Sequence, residues 1–228
     1  MSTAAPPTFG AGGGEPYGFA LDDGDRTLTL HEYRADPGGV ASHGRRIDLD
    51  RFLAAADDVD GEAIEAADGP VLDIGCGPGR MLRAAAIRGH VVLGIDVSAA
   101  AVRIAGRRGL PVLRRSVFEC VPGCGRWGTA ILLDGNIGIG GDPVALLQRC
   151  VDLVRPHGGR VVIETHPDPL RDRAFQSQVV DDLGRRSVPF AWAEVGVAAL
   201  RRHAASAGLV WEREWAGQER SFAEYVRP

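Results

Sequence analysis

Lysine is absent from this chain; all 26 basic residues are arginine. Without a side-chain amine, Schiff-base and lysine-nucleophile mechanisms are excluded. Cysteine is scarce as well. Cys76, Cys120, Cys124 and Cys150 show no framework spacing, which suits a reducing compartment. The C-x3-C pair at Cys120 and Cys124 has no second ligand pair nearby, so loop thiols are expected there and no metal site anywhere. Positive charge is not in excess. Thirty acidic residues leave a formal charge of −4, and neither nucleic acid nor an anionic membrane is an expected partner. No apolar run approaches the ~18 residues of a membrane span. The N-terminus lacks the basic and apolar halves of a signal peptide. A soluble, cytoplasmic protein is the expectation.

The 228 residues suffice for one good-sized core but not for two comfortable domains. Residues 1–15, rich in Gly, Pro and Ala, are expected to form a flexible tail. Residues 16–68 read as a polar, irregular extension containing one helix near IDLDRFLAAADD, a possible cover for substrate. Within it, SHGRR places His43, Arg45 and Arg46 together, either as a solvated loop or as a site for a substrate carboxylate or phosphate.

From residue 69 onward, strands and helices alternate. VLDI (71–74), VVLGID (91–96), PVLRRS (111–116), TAILLD (129–134) and GGRVVIET (158–165) read as strands. Helices are expected between them, with Gly89 closing the first and Ser98 capping the second. A last helix over VGVAALRRHAASAGL precedes a hairpin, VWEREW and SFAEYVR. The pattern predicts an α/β, doubly wound, mostly parallel sheet with an antiparallel strand near one edge. Residues 167–192 interrupt the alternation as a lid-like insertion; its Phe175, Phe190 and Trp192 either line an acceptor pocket or pack locally.

Three alternating glycines, Gly75, Gly77 and Gly79, follow the first of these strands in VLDIGCGPGR. In a doubly wound sheet such a turn lies where ligands bind, and the missing Cβ atoms let backbone approach them, though a plain tight turn also explains glycine. A dinucleotide fingerprint G-x-G-x-x-G counted from Gly75 would need glycine at Arg80. Asp73 stands two residues before the first glycine, where a carboxylate suits an ammonium group and repels a pyrophosphate. S-adenosylmethionine (SAM) carries such an ammonium. Asp96 ends the next strand in GIDVS, placed to accept both ribose hydroxyls or to serve as a helix N-terminal acid.

VLDIGCGPGR with GIDVS, then RRSVF, LLDGN and GGRVVIE, resembles the class I SAM-dependent methyltransferases over roughly residues 70–165. The resemblance implies a seven-stranded Rossmann-like sheet and SAM as cofactor. It implies that Asp73, Gly75, Cys76, Gly77 and Gly79 line the methionine part, that Asp96 holds the ribose, and that Val97 packs on the adenine. Ser116 and Val117 would meet the adenine edge. Ser116 stands where many members carry an acid, and Glu119 is near enough in sequence to replace it. Asp134 and Gly135 would follow the fourth strand, with Asn136 orienting the acceptor unless the glycine-rich LLDGNIGIGGD is only a connection. His166, just past the fifth strand, is either a general base or a capping histidine. The expected reaction is methyl transfer to an O or N atom of a small molecule. The alternatives are an NAD(P)-dependent oxidoreductase and a non-catalytic SAM-fold binding protein.

Overall fold

The computed structural model describes residues 7–11, 15–24, 27–34 and 44–228. His43 lies outside them, as do residues 1–6 and 12–14 of the expected tail.

The N-terminal extension carries more regular structure than its sequence suggested. Helix α1 (Pro16–Asp23) begins at Glu15, whose carboxylate accepts from the N–H groups of Tyr17 and Gly18. Strands β1 (Leu28–Glu32) and β2 (Arg45–Ile47) pair antiparallel. The single helix expected over residues 47–58 is instead a short α2 (Leu49–Leu53), a break, and then α3 (Asp58–Glu65). A capping box causes the break: Asp57 accepts from the Asp60 N–H at 2.7 Å, and the Asp60 side chain accepts in return from the Asp57 N–H at 3.1 Å.

The remainder follows the predicted alternation. Strand β3 (Val71–Ile74) leads to α4 (Arg80–Ile87), β4 (Val92–Asp96) to α5 (Ala99–Arg107), and β5 (Val112–Arg114) to β6 (Thr129–Leu132). Two 3₁₀ turns over Asn136–Gly141 precede α6 (Pro143–Leu153) and β7 (Gly159–Thr165). An antiparallel hairpin, β8 (Asp172–Asp181) and β9 (Phe190–Val195), separates β7 from α7 (Val197–Ser206). Strands β10 (Val210–Gly217) and β11 (Arg220–Arg227) close the chain. Ser98 caps α5 through its hydroxyl, and Gly89 follows α4 in the left-handed region, as expected.

The main sheet has seven strands in the order β10-β11-β7-β6-β3-β4-β5, with β11 antiparallel to both neighbours. Every residue of β3 and β6 is buried, as expected for parallel strands covered on both faces. The sequence did not reveal a second sheet, β2-β1-β8-β9, in which the extension pairs with the insertion. Its inner face supplies Leu28, Leu30, Val179, Phe190 and Trp192 to a second core shared with Tyr17 of α1 and with Ala100 and Ala101 of α5. That core lies against the carboxyl ends of the main strands, where β3 and β4 deliver their acids.

Candidate active site

Gly75 begins the turn after β3 at φ +72°, and its N–H donates to the Ile95 carbonyl at 2.8 Å. A Cβ on Gly75 would lie 2.6 Å from Asn136 Nδ2, which instead donates to the carbonyls of Ile74 and Gly75 at 2.9 and 3.0 Å. Asn136 thus clamps the glycine turn from the loop after β6. Gly77 donates its N–H to Asp96 Oδ2 at 2.8 Å, while Asp96 Oδ1 accepts from the Ser98 N–H at 2.7 Å. The turn and the acid that ends β4 therefore form one hydrogen-bonded unit.

This unit opens into a cleft of about 1040 Å³, open solvent at its mouth included. Asp73, Gly75, Cys76, Gly77, Asp96, Val97, Ser116, Val117, Asp134 and Asn136 all line it. Three predicted residues do not. Gly79 sits behind the wall as the residue preceding α4, with Leu110 filling the space where a Cβ would point. Gly135 turns the chain at φ +87° beneath Arg45 and Trp192. His166 accepts from the Asp168 N–H through Nδ1 at 3.0 Å, so it caps the turn that opens the insertion rather than facing the cleft. Glu119 is spent locally, accepting from the Ser116 N–H at 2.8 Å.

The charges in the cleft are uneven. Asp73 is buried, and its Oδ2 has no hydrogen-bond partner. Burial, reinforced by Asp134 and Asp96, pushes its carboxyl up to about 8. An unpaired buried carboxylate in a cavity wall is a site for a cation. Burial also raises Asp96, and raises the Tyr17 phenol well above its ordinary value in company with Asp96 and Glu15.

Asp134 is held differently. At φ +56° it turns its carboxylate to Arg80 Nη2 at 2.6 Å and to Arg51 Nε at 3.1 Å. Arg80, where a dinucleotide site would need glycine, is buried and pairs also with Asp60. Asp60 further accepts from Arg51 at 2.9 Å and from Arg220 at 2.9 Å, and Arg220 forks onto Glu164 at 2.8 Å through two nitrogens. Three guanidiniums and their carboxylates thereby lock the extension to α4, β7, β11 and the turn after β6.

The glycine-rich connection after β6 has a packing cause that the sequence did not show. A Cβ on Gly138 would lie 2.3 Å from the Ala193 carbonyl oxygen, and one on Gly141 would lie 2.9 Å from the Ala193-flanking Ala191 Cβ. These glycines let β9 approach and set Trp192 in the cleft wall.

The family described as "Methyltransferase domain" matches residues 46–196, about two thirds of the chain. With the strand order and the acid-flanked glycine turn, this decides the assignment. The chain belongs to the class I SAM-dependent methyltransferases. A SAM-dependent methyltransferase from Bacteroides fragilis, solved with S-adenosyl-L-homocysteine, shares the fold at 20% identity and a TM-score of 0.72, covering 92% of this chain and 94% of that one. The CcbJ methyltransferase of Streptomyces caelestis matches at 15% identity and TM-score 0.59, over 76% and 91% of the two chains. The 1,6-didemethyltoxoflavin-N1-methyltransferase of Burkholderia thailandensis matches at 19% and 0.54, over 74% and 76%. No match was found among curated proteins.

For a methyltransferase, the walls that sequence reasoning did not single out come from the N-terminal segments: Thr8 and Phe9 from the expected tail, and Tyr17, Leu30, Ile47 and Phe52 from the extension. Arg45, which the sequence offered for a substrate carboxylate or phosphate, lines the cleft with them. Of the three aromatic candidates in the insertion, Trp192 lines the cleft, Phe190 is buried beside it, and Phe175 is half-buried at the edge of the core under Arg173. No helix among the described residues is long and apolar enough to cross a membrane.

Proposed function

We propose that this methyltransferase moves the SAM methyl group to an O or N atom of a small molecule, and that the cleft between the glycine turn and the second sheet holds both reactants. The observation that carries this reading is the continuity of the cleft. Asp73, the glycine turn and Asp96 line it together with Phe52, Trp192, Leu30 and Ile47. Such a concave, largely apolar cleft fits a small acceptor rather than a polymer lying across a surface. Related folds with small acceptors support it: the Burkholderia structure contains 1,6-didemethyltoxoflavin, and another neighbour is a magnesium protoporphyrin IX methyltransferase.

In this reading Asp73 accepts from the cofactor's ammonium, which its unpartnered Oδ2 favours. Asp96 holds the ribose while its backbone bonds to Gly77 and Ser98 keep it aimed. Val97 packs on the adenine, and Ser116 and Val117 flank its edge. SAM supplies an activated methyl carbon for in-line displacement. The chain's part is to align the acceptor and exclude water. Asn136 fixes the turn, and the aromatic wall covers the acceptor. Both Asp134 carboxylate oxygens are engaged by guanidiniums, and no histidine among the described residues lines the cleft. An acceptor that is already a nucleophile in water therefore fits best.

The test is to incubate the protein with SAM and a panel of phenols, amines and carboxylates. S-adenosylhomocysteine formation and the methylated product are followed by mass spectrometry. Turnover of a panel member supports the proposal. Turnover only with RNA, DNA or protein contradicts it.

A further inference from the structure

One wall of the cleft bears a charge that no side chain uses. Strand pairing sets Leu30 opposite Arg45 and Leu28 opposite Ile47, so these four side chains share one face of the second sheet. Arg46, opposite Thr29, is on the other face. Leu30, Arg45 and Ile47 line the cleft accordingly, and Arg46 does not. Phe9, Phe52 and Trp192 line the cleft as well. Apart from Arg45 these residues are apolar or aromatic.

Of the other guanidiniums of the lining, Arg80 lies between Asp60 and Asp134, while Arg115 is held by a backbone carbonyl, that of Cys120 at 2.6 Å, with its buried Nε unpartnered. Arg45 has no carboxylate or carbonyl partner among the described residues. Its terminal nitrogen would lie 3.7 Å from a Cβ on Gly135, beside the turn between Asp134 and Asn136. An exposed fork of donors, unpaired among the described residues, therefore stands beside Gly135, where Trp192 also approaches.

We propose that the methyl acceptor is a flat, mainly apolar molecule bearing a carboxylate, and that Arg45 holds that carboxylate. This rests on the small-molecule reading above. A guanidinium binds a carboxylate through two parallel hydrogen bonds, which fixes the acceptor's orientation as well as its affinity. Phe52 and Trp192 offer faces for a planar body. A cationic acceptor would be repelled by Arg45. A phosphate monoester would bring a second negative charge to Arg45, close to the Asp134 carboxylate, which favours the monoanion.

The experiment titrates the protein, saturated with S-adenosylhomocysteine, with 2-naphthoate and separately with 2-naphthamide in a calorimeter. The amide keeps the size and flatness and lacks the charge. Wild-type protein is expected to bind the acid at least about tenfold more tightly than the amide. Arg45→Gln should remove that preference while leaving S-adenosylhomocysteine affinity intact, which also reports a preserved fold. Arg46→Gln should keep the preference. The proposal is overturned if the wild type does not prefer the acid, or if Arg45→Gln retains the preference. If S-adenosylhomocysteine binds but neither naphthalene probe does, the proposal of a flat carboxylate acceptor is overturned, while the small-molecule reading is decided by the turnover panel.

Discussion

Asn136 occupies the space in which Gly75 would carry a side chain: its amide nitrogen bonds the carbonyls on either side of that glycine's N–H, at 2.9 and 3.0 Å. The turn after β3 and the loop after β6 are therefore one device. Gly75→Ala adds both a left-handed alanine and an overlap with Asn136, and is expected to cost about 2–4 kcal/mol. Asn136→Ala removes the clamp at about 1–3 kcal/mol. The double variant should cost less than the sum, because Asn136→Ala relieves the overlap and leaves only the backbone strain. Urea unfolding of the four proteins measures this, and strict additivity would refute the clamp.

Asp73 predicts how cofactor affinity depends on pH. Its carboxyl is raised to about 8 by burial, so the free protein favours the protonated acid, and ionising it costs stability as pH climbs from the ordinary carboxylate range towards 8. A bound ammonium favours the carboxylate. Binding therefore expels a proton, and affinity for S-adenosylhomocysteine should rise by up to about tenfold per pH unit between about pH 6 and 8. Asp73→Asn should bind weakly and flatten the profile; a flat wild-type profile would remove Asp73 from the ammonium site.

Asp60 joins Arg51, Arg80 and Arg220 with almost no exposure. Asp60→Ala leaves buried guanidiniums short of a counter-charge and should cost about 3–5 kcal/mol. Thermal unfolding checks this. A loss below about 1 kcal/mol, the worth of a surface pair, would mean that the cluster does not hold the extension in place.

Gly138 tests the packing origin of the glycine-rich connection. Gly138→Ala forces a methyl onto the Ala193 carbonyl and the Trp192 ring and should cost about 1–3 kcal/mol. Gly106→Ala, in α5 with open space around it, should instead be neutral or slightly stabilising. Equal effects would show that β9 does not press on the connection.

The main sheet was legible because its signals are local. The central strands β3 and β6 are short buried runs, Asp73 and Asp96 sit near strand ends, and Gly75, Gly77, Asp73 and Asp96 lie within one β-α-β unit. The second sheet was not legible, because β1 finds its partner β8 about two thirds of the chain away: Leu30 pairs with Val179 and His31 with Gln178. Polar residues such as His31, Glu32 and Gln178 break the apolar alternation that marks a strand. Arg80 illustrates the same limit. Its sequence position argued only against a dinucleotide, and its partners Asp60 and Asp134 became visible when folding brought them together. His166 left two readings open, base or cap: its place beyond β7 is on the active edge of the sheet, and its own turn engages its Nδ1.

The central claim is that the cleft beyond β3 and β4 binds SAM through Asp96. Calorimetric titration of wild type and Asp96→Ala with S-adenosylhomocysteine, and with NAD, tests it most directly, with unfolding curves recorded on both proteins. The account predicts one-to-one binding of S-adenosylhomocysteine by the wild type, no binding of NAD, and loss of binding in a folded Asp96→Ala. Undiminished binding by Asp96→Ala, or binding of NAD in place of S-adenosylhomocysteine, would contradict it.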